Sequence, residues 1–192
     1  MATYKIYVFR HGGTHYNKKG IFTGWKDSTL TKQGKQAARR VANKLKNKKF
    51  QVAFRTRLTR SKQTLKEVLK YHPECKKIIE DNRMIERRYG KLEGKHHDTI
   101  IKKYGKKQYD IWHRSFDVRP PGGESFADVE KRVSKFIKYL NAYVKKNKVN
   151  VAISAHGNSI RLFRKIMEKK SKKQAVKWFI PYDKYFEYTV KC

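Results

Sequence analysis

Tyr4 to Gly12 reads YKIYVFRHG, and Asn150 to Asn158 reads NVAISAHGN. Each is a short apolar block, rich in β-branched or aromatic residues, that runs into a His-Gly pair: His11-Gly12 and His156-Gly157. Blocks of this length and composition predict buried strands. In a parallel sheet both histidines emerge at the carboxyl ends of strands, where α/β proteins place their sites. The glycines let backbone amides approach a ligand closely. A helix starting directly afterwards adds the positive end of its dipole, which favours a phosphate. One such construction could be a structural capping histidine; a matched pair points to a site.

Outward from these two strands, apolar periodicity supplies the other elements. Thr31 to Lys46 opens on a threonine and spaces Ala37, Ala38, Val41, Ala42 and Leu45 as one helix face. Gln51 to Phe54 reads as a second strand, Leu58 to Tyr71 as a second helix ending before Pro73, and Lys76 to Glu80 as a third strand. Asp81 to Gly94 is aperiodic and dense in polar and aromatic residues, so an ordered loop is expected there. His113 to Ser125 contains Pro120, Pro121, Gly122 and Gly123 and reads as irregular throughout. Ser125 to Lys146 predicts a long amphipathic helix, a further helix runs from about Ser159 to Lys169, and Lys184 to Val190 is the last strand. Strands alternating with helices predict an α/β fold, a three-layer α/β/α sandwich with a mostly parallel central sheet, as one domain over residues 1–192.

The 192 residues carry 49 Lys and Arg against 16 Asp and Glu, a formal charge of +33. A polybasic disordered chain would be poor in apolar residues everywhere; here they make up 38% and cluster in blocks, so a folded core is expected. The lysines lie along the whole length rather than in one arm, which favours a solvated basic surface over a dedicated nucleic-acid interface. Non-specific, salt-sensitive affinity for polyanions follows from such charge regardless of function. Cys75 and Cys192 do not form a disulfide framework, no leader pattern opens the chain, and no apolar run reaches the ~20 residues of a membrane span. A soluble, cytoplasmic protein without membrane contact is expected. No His or Cys pair has the spacing of a metal site, so none is expected.

Six segments then carry a family signature: Arg10-His11-Gly12-Gly13-Thr14 with Asn17; Phe22-Thr23-Gly24-Trp25; Arg60; Glu86-Arg87-Arg88-Tyr89-Gly90; Ile111-Trp112-His113-Arg114-Ser115; and Ala155-His156-Gly157-Asn158-Ser159. In this order and spacing the chain resembles the histidine phosphatase superfamily, and within it the cofactor-dependent phosphoglycerate mutases. The resemblance implies that His11 is the nucleophile that becomes phosphohistidine and that Glu86 is the general acid and base. It implies that Arg10, Arg60 and His156 hold the transferring phosphoryl group, with Asn17, Thr23, Gly24, Gly157 and Asn158 holding phosphate or substrate. Tyr89 and Arg114 then fall where the mutases grip the carboxylate end of the substrate.

The implied activity is interconversion of 3-phosphoglycerate and 2-phosphoglycerate, primed by 2,3-bisphosphoglycerate and requiring no metal. The implied ligand is a small anionic phosphorylated substrate. Relatives are often dimers, although no exposed apolar stripe is legible here. The chain departs from the mutase pattern at Gly13, where a glutamate is usual. It departs again at His97, which aligns with a substrate-gripping lysine that Lys95 could replace, and at His113, which stands for the first arginine of a pair. Asp117 to Glu124 is short where longer mutases insert a lid, and the tail after the last strand is curtailed. These departures support the alternative of a phosphatase hydrolysing phosphomonoesters through the same phosphohistidine.

Overall fold

The computed structural model describes residues 2–191. The first strand, β1 (Thr3–Arg10), leads into a single helical turn, α1 (His15–Lys18), then α2 (Lys32–Leu45), β2 (Val52–Arg55), α3 (Thr59–Leu69) and β3 (Lys77–Glu80). Two 3-10 turns follow, and then α4 (His97–Arg114), α5 (Phe126–Asn147), β4 (Val151–Ala155), α6 (Gly157–Met167), α7 (Lys172–Lys177) and β5 (Tyr185–Lys191). The five strands form one sheet in the order β3-β2-β4-β1-β5. Only β5 runs antiparallel, on the outer side of β1.

Alternation along each strand divides the core into the two interfaces of a three-layer sandwich. Tyr7, Phe9, Ala53 and Ala152 join Val41, Leu45, Leu65 and Val68 beneath α2 and α3. Ile6, Val8, Val52, Phe54, Val151 and Ile153 join Val133, Phe136, Leu140, Ile160 and Phe163 beneath α5 and α6. β4 is buried at all five residues, as a central parallel strand covered on both faces must be. Side-chain caps start α2 at Thr31 and α5 at Ser125, in the positions the sequence suggests.

Three sequence expectations need correcting. His113 and Arg114 are not irregular: they close α4, and the chain turns only at Ser115. α4 itself goes unassigned in the sequence reading, because it buries only Ile100 fully and is interrupted by Gly105, whose φ of +80° only glycine adopts without strain. The helix after β4 begins at Gly157, two residues earlier than read. Cys75 is half-buried, and Cys192 lies outside the described residues. No described helix is long and apolar enough to cross a membrane.

Candidate active site

β1 and β4 are adjacent, parallel and in register, with Arg10 opposite Ala155. The next residue on each strand is a histidine, so the sheet itself sets His11 beside His156. The ladder continues one bond further, His11 N donating to Ala155 O at 3.0 Å, and the imidazole centroids lie 5.0 Å apart. Successive crossovers leave β1 and β4 in opposite directions along the sheet, toward β2 and β5, which opens the crevice at their carboxyl ends.

His11 is buried, with Nδ1 2.7 Å from Gly12 O. A carbonyl only accepts, so Nδ1 carries the proton and the Nε2 lone pair is free. Burial first, then the charges of Arg60 and Arg10, hold this imidazole far below the ordinary histidine range; Gly12 O opposes them. His156 is likewise depressed, by burial first, then by Arg60 and then by His11, and its Nε2 is hydrogen-bonded to Thr56 Oγ1 at 2.8 Å. Both rings are neutral at physiological pH.

The guanidinium groups reach the crevice already anchored. Arg60, on the first turn of α3, is 1% exposed and donates to Gly24 O (2.7 Å) and Lys26 O (2.9 Å). Burial lowers it to about 10, still charged at neutral pH. Gly24 has φ +50°, and a Cβ there would fall 2.1 Å from Glu93 Oε1, so a side chain would strain the turn and displace that carboxylate. Arg10 donates to Ile180 O at 2.8 Å. Arg10 Nε and Arg60 Nε are buried without a protein partner. Two unmet cationic donors cost stability, of order 1–3 kcal/mol each, unless an anion meets them.

Glu86 is buried, and its Oε1 accepts from Arg87 N (2.7 Å) and Asn158 N (3.1 Å). Its segment is clamped from outside by Arg132, which donates to Arg83 O, Ile85 O and Glu86 O and pairs with Glu124. Trp25 Nε1 bonds the same Glu86 carbonyl at 2.7 Å. Ligand atoms of His11, Glu86 and His156 lie within 4.8 Å of one another, a spacing that could hold a cation. The positive field that depresses both imidazoles disfavours a cation there and favours a phosphate dianion.

A cleft of about 220 Å³ gathers Arg10, His11, Asn17, Thr23, Gly24, Arg60, Glu86, Tyr89, His97, His113, Arg114, Gly157 and Asn158. His156 does not line this wall, but its buried Nδ1 has no hydrogen-bond partner among the described residues. Lys95 does not line the cleft and so does not replace the aligned lysine. His97 stacks on Phe22 (centroids 4.0 Å) and bonds Tyr109 OH at 2.7 Å. His113 sits among Phe22, Tyr89, His97 and Tyr109. Burial, then Arg114, pushes His113 down to about 2; burial also lowers His97.

Where the mutase pattern has two cations, this cleft therefore presents two neutral rings. The unfolded chain takes up a proton on His113 below about pH 6.5, which the folded one refuses until about pH 2. Its contribution to stability is thus complete above pH 6.5 and is lost as pH falls through that window. Replacing His113 by phenylalanine is expected to shrink the drop in unfolding free energy between pH 7 and pH 5 by about 2 kcal/mol, measured by urea denaturation.

Arg161, which the sequence reading passes over, also lines the cleft. It donates to Asn158 Oδ1 at 2.5 Å and to Trp178 O at 2.7 Å, while Asn158 Nδ2 bonds Tyr89 OH at 3.2 Å. Arg87, fully buried, donates to Trp112 O and His113 O and so fixes the end of α4 that carries Arg114. An arginine three residues after Asn158, and one directly after the motif's Glu86, are the only sequence signals for them. No residue from 115 to 125 lines the cleft; that segment packs on the Glu86 loop through Glu124 N to Arg88 O and Lys91 N to Pro121 O.

Residues 6–185 match the model of the histidine phosphatase superfamily (branch 1). A 2,3-bisphosphoglycerate-dependent phosphoglycerate mutase of Mesorhizobium japonicum is 38% identical over 176 residues, 90% of this chain and 85% of that one. A phosphoglycerate mutase of Schizosaccharomyces pombe is 38% identical over 160 residues, 81% of this chain and 75% of that one. Among solved structures, a mycobacterial glucosyl-3-phosphoglycerate phosphatase complexed with VO3 superimposes with a TM-score of 0.83 at 21% identity, covering 96% of this chain and 90% of its own. The phosphoglycerate mutase of Bacillus anthracis does so with a TM-score of 0.81 at 22% identity, covering 97% and 88%. On the match over residues 6–185 and relatives at 38% identity, the chain belongs to the histidine phosphatase superfamily, branch 1.

Proposed function

We propose that the protein is a 2,3-bisphosphoglycerate-dependent phosphoglycerate mutase that interconverts 3-phosphoglycerate and 2-phosphoglycerate through phosphohistidine at His11. The observation that carries this is a neutral His11 whose free Nε2 faces a buried cationic pocket, beside a buried carboxylate. Nε2 attacks phosphorus in line, and the P–O bond to the leaving oxygen breaks as Glu86 hands that oxygen a proton. Arg10, Arg60 and His156 hold the equatorial oxygens, where charge accumulates. Glu86, now ionised, takes the proton of the acceptor hydroxyl in the return step. The bisphosphorylated primer supplies the first phosphoryl group to His11; Arg10 and Arg60 suit one of its phosphates, and Arg114 and Arg161 suit its carboxylate end.

Positioning and preset charge are what phosphoryl transfer needs from a protein, and the arginines supply both without a metal. Activity is therefore expected to survive exhaustive dialysis against EDTA. A Glu86→Gln variant keeps the shape but cannot exchange the proton, and turnover is expected to fall by about 10²–10⁴-fold with KM little changed. The decisive assay follows 2-phosphoglycerate and free phosphate together from 3-phosphoglycerate, with and without primer. Primer-dependent 2-phosphoglycerate with little free phosphate supports the mutase. Free phosphate without 2-phosphoglycerate supports the phosphatase reading, for which the neutral rings of His97 and His113 in place of two cations speak.

A further inference from the structure

The phosphohistidine of a mutase must be shielded from water, and the short segment before α5 does not cover the cleft. The residues that do stand at its mouth belong to the link between α7 and β5: Phe179, Ile180 and Tyr182. Two arginines of the site tie this link down. Arg161 donates to Trp178 O at 2.7 Å, and Arg10 donates to Ile180 O at 2.8 Å. Arg10 also stacks its guanidinium 4.0 Å from the centroid of the Tyr182 ring, which lies 6.2 Å from the His11 ring. Phe179, 68% exposed, leans edge-on against Tyr182 with centroids 6.4 Å apart.

Behind this wall lies a second, larger cavity of about 550 Å³, lined by Gly13, Thr14, Ala37 and Pro181 and sharing Asn17, Phe179 and Tyr182 with the cleft. Gly13 faces open space: a Cβ there would touch nothing within 4 Å. The usual glutamate of the motif is thus replaced by room for water, with the Tyr182 ring between that room and His11.

We propose that Tyr182 is a positioning residue that decides the fate of the phosphohistidine: its ring, clamped on Arg10, walls His11 off from the neighbouring cavity and directs the phosphoryl group to a bound hydroxyl rather than to water. The inference rests on the phosphohistidine reading above. In the reaction it suppresses, a water oxygen bonds to phosphorus and the P–Nε2 bond breaks. The electron pair returns to His11, and the displaced water proton passes to Glu86. The same ring keeps the Arg10 guanidinium in one orientation through a cation–π contact. Removal of the ring therefore has two effects in one direction, wetting the pocket and loosening a phosphate ligand.

The test charges the full chain with radiolabelled 2,3-bisphosphoglycerate, removes the excess and times the loss of acid-labile label, with and without 3-phosphoglycerate. In Tyr182→Ala the label is expected to decay to free phosphate about ten-fold faster than in the parent, whereas transfer to 3-phosphoglycerate changes less. Tyr182→Phe keeps the ring face over Arg10 and is expected to restore the lifetime to within about two-fold. Should Tyr182→Ala not fold, Tyr182→Leu, which keeps apolar bulk without the ring face, stands in its place. An alanine or leucine variant with the parent's lifetime overturns the role of Tyr182 while leaving the phosphohistidine intact. A parent that takes up no label overturns the phosphohistidine reading itself, and this inference with it.

Discussion

Replacing His11 by alanine is expected to abolish phosphoryl transfer, with turnover falling by about 10⁴–10⁶-fold and no labelled enzyme formed from the primer. The Nε2 of the neighbouring His156 is engaged with Thr56, and that ring does not line the cleft as His11 does. The fold is expected to survive. Among the described residues the His11 side chain has one hydrogen bond, to the carbonyl of the next residue, and the ring borders the cleft rather than the packed core. A melting temperature near the parent's, together with the lost activity, separates a missing nucleophile from a missing fold. Salt-sensitive polyanion binding, which follows from the charge of +33, is expected to be untouched.

Arg60→Ala is the second large effect, and it acts in three ways. It removes a preset charge from the equatorial oxygens, at a cost of about 10³–10⁴-fold in turnover. It leaves Gly24 O and Lys26 O without their donors, so a stability loss of about 2–4 kcal/mol is expected. It also removes the larger of the two charges that depress His11. The imidazole then moves up toward its ordinary value, protonates sooner as pH falls, and loses its nucleophilic lone pair. The acid limb of the pH–rate profile should therefore lie at higher pH in the variant than in the parent. Arg60→Lys recovers little, because a single ammonium cannot serve two carbonyls and a phosphate as a planar fork does. A profile unchanged in shape would separate Arg60 from the tuning of His11.

Most of the sheet and the heart of the site are legible in the sequence because both rest on short-range signals. YKIYVF and NVAIS are unambiguous strands, and register between them brings His11 beside His156 without further information. Helix caps at Thr31 and Ser125 fall where the residues suggest. α4 is not legible: its contacts are with Phe22, Tyr89 and Leu92 on distant loops, and its own pattern is polar and broken at Gly105. The roles of Arg87, Arg132 and Arg161 are invisible for a related reason. Each serves backbone carbonyls far away in the chain, and in a sequence with 49 basic residues one more arginine carries no signal. Tyr182 falls in the same class, since its meaning lies in an arginine 172 positions earlier and only the fold reveals the pair.

The departures from the mutase pattern acquire physical content from the same contacts. His97 and His113 are not weak cations standing in for strong ones; they are neutral members of an aromatic cluster with Phe22, Tyr89 and Tyr109. On the proposed function, grip on an anionic substrate end falls to Arg114 and to Arg161, itself lowered to about 10 by burial but still charged at neutral pH.

Bonding of phosphorus to His11 Nε2 can be measured directly. The full chain is mixed with radiolabelled 2,3-bisphosphoglycerate, quenched in alkali, digested and mapped for acid-labile, alkali-stable label. About one equivalent is expected on the peptide that carries His11 and none in the His11→Ala variant. Label on another residue, or turnover of 3-phosphoglycerate by a protein that never carries label, would contradict it.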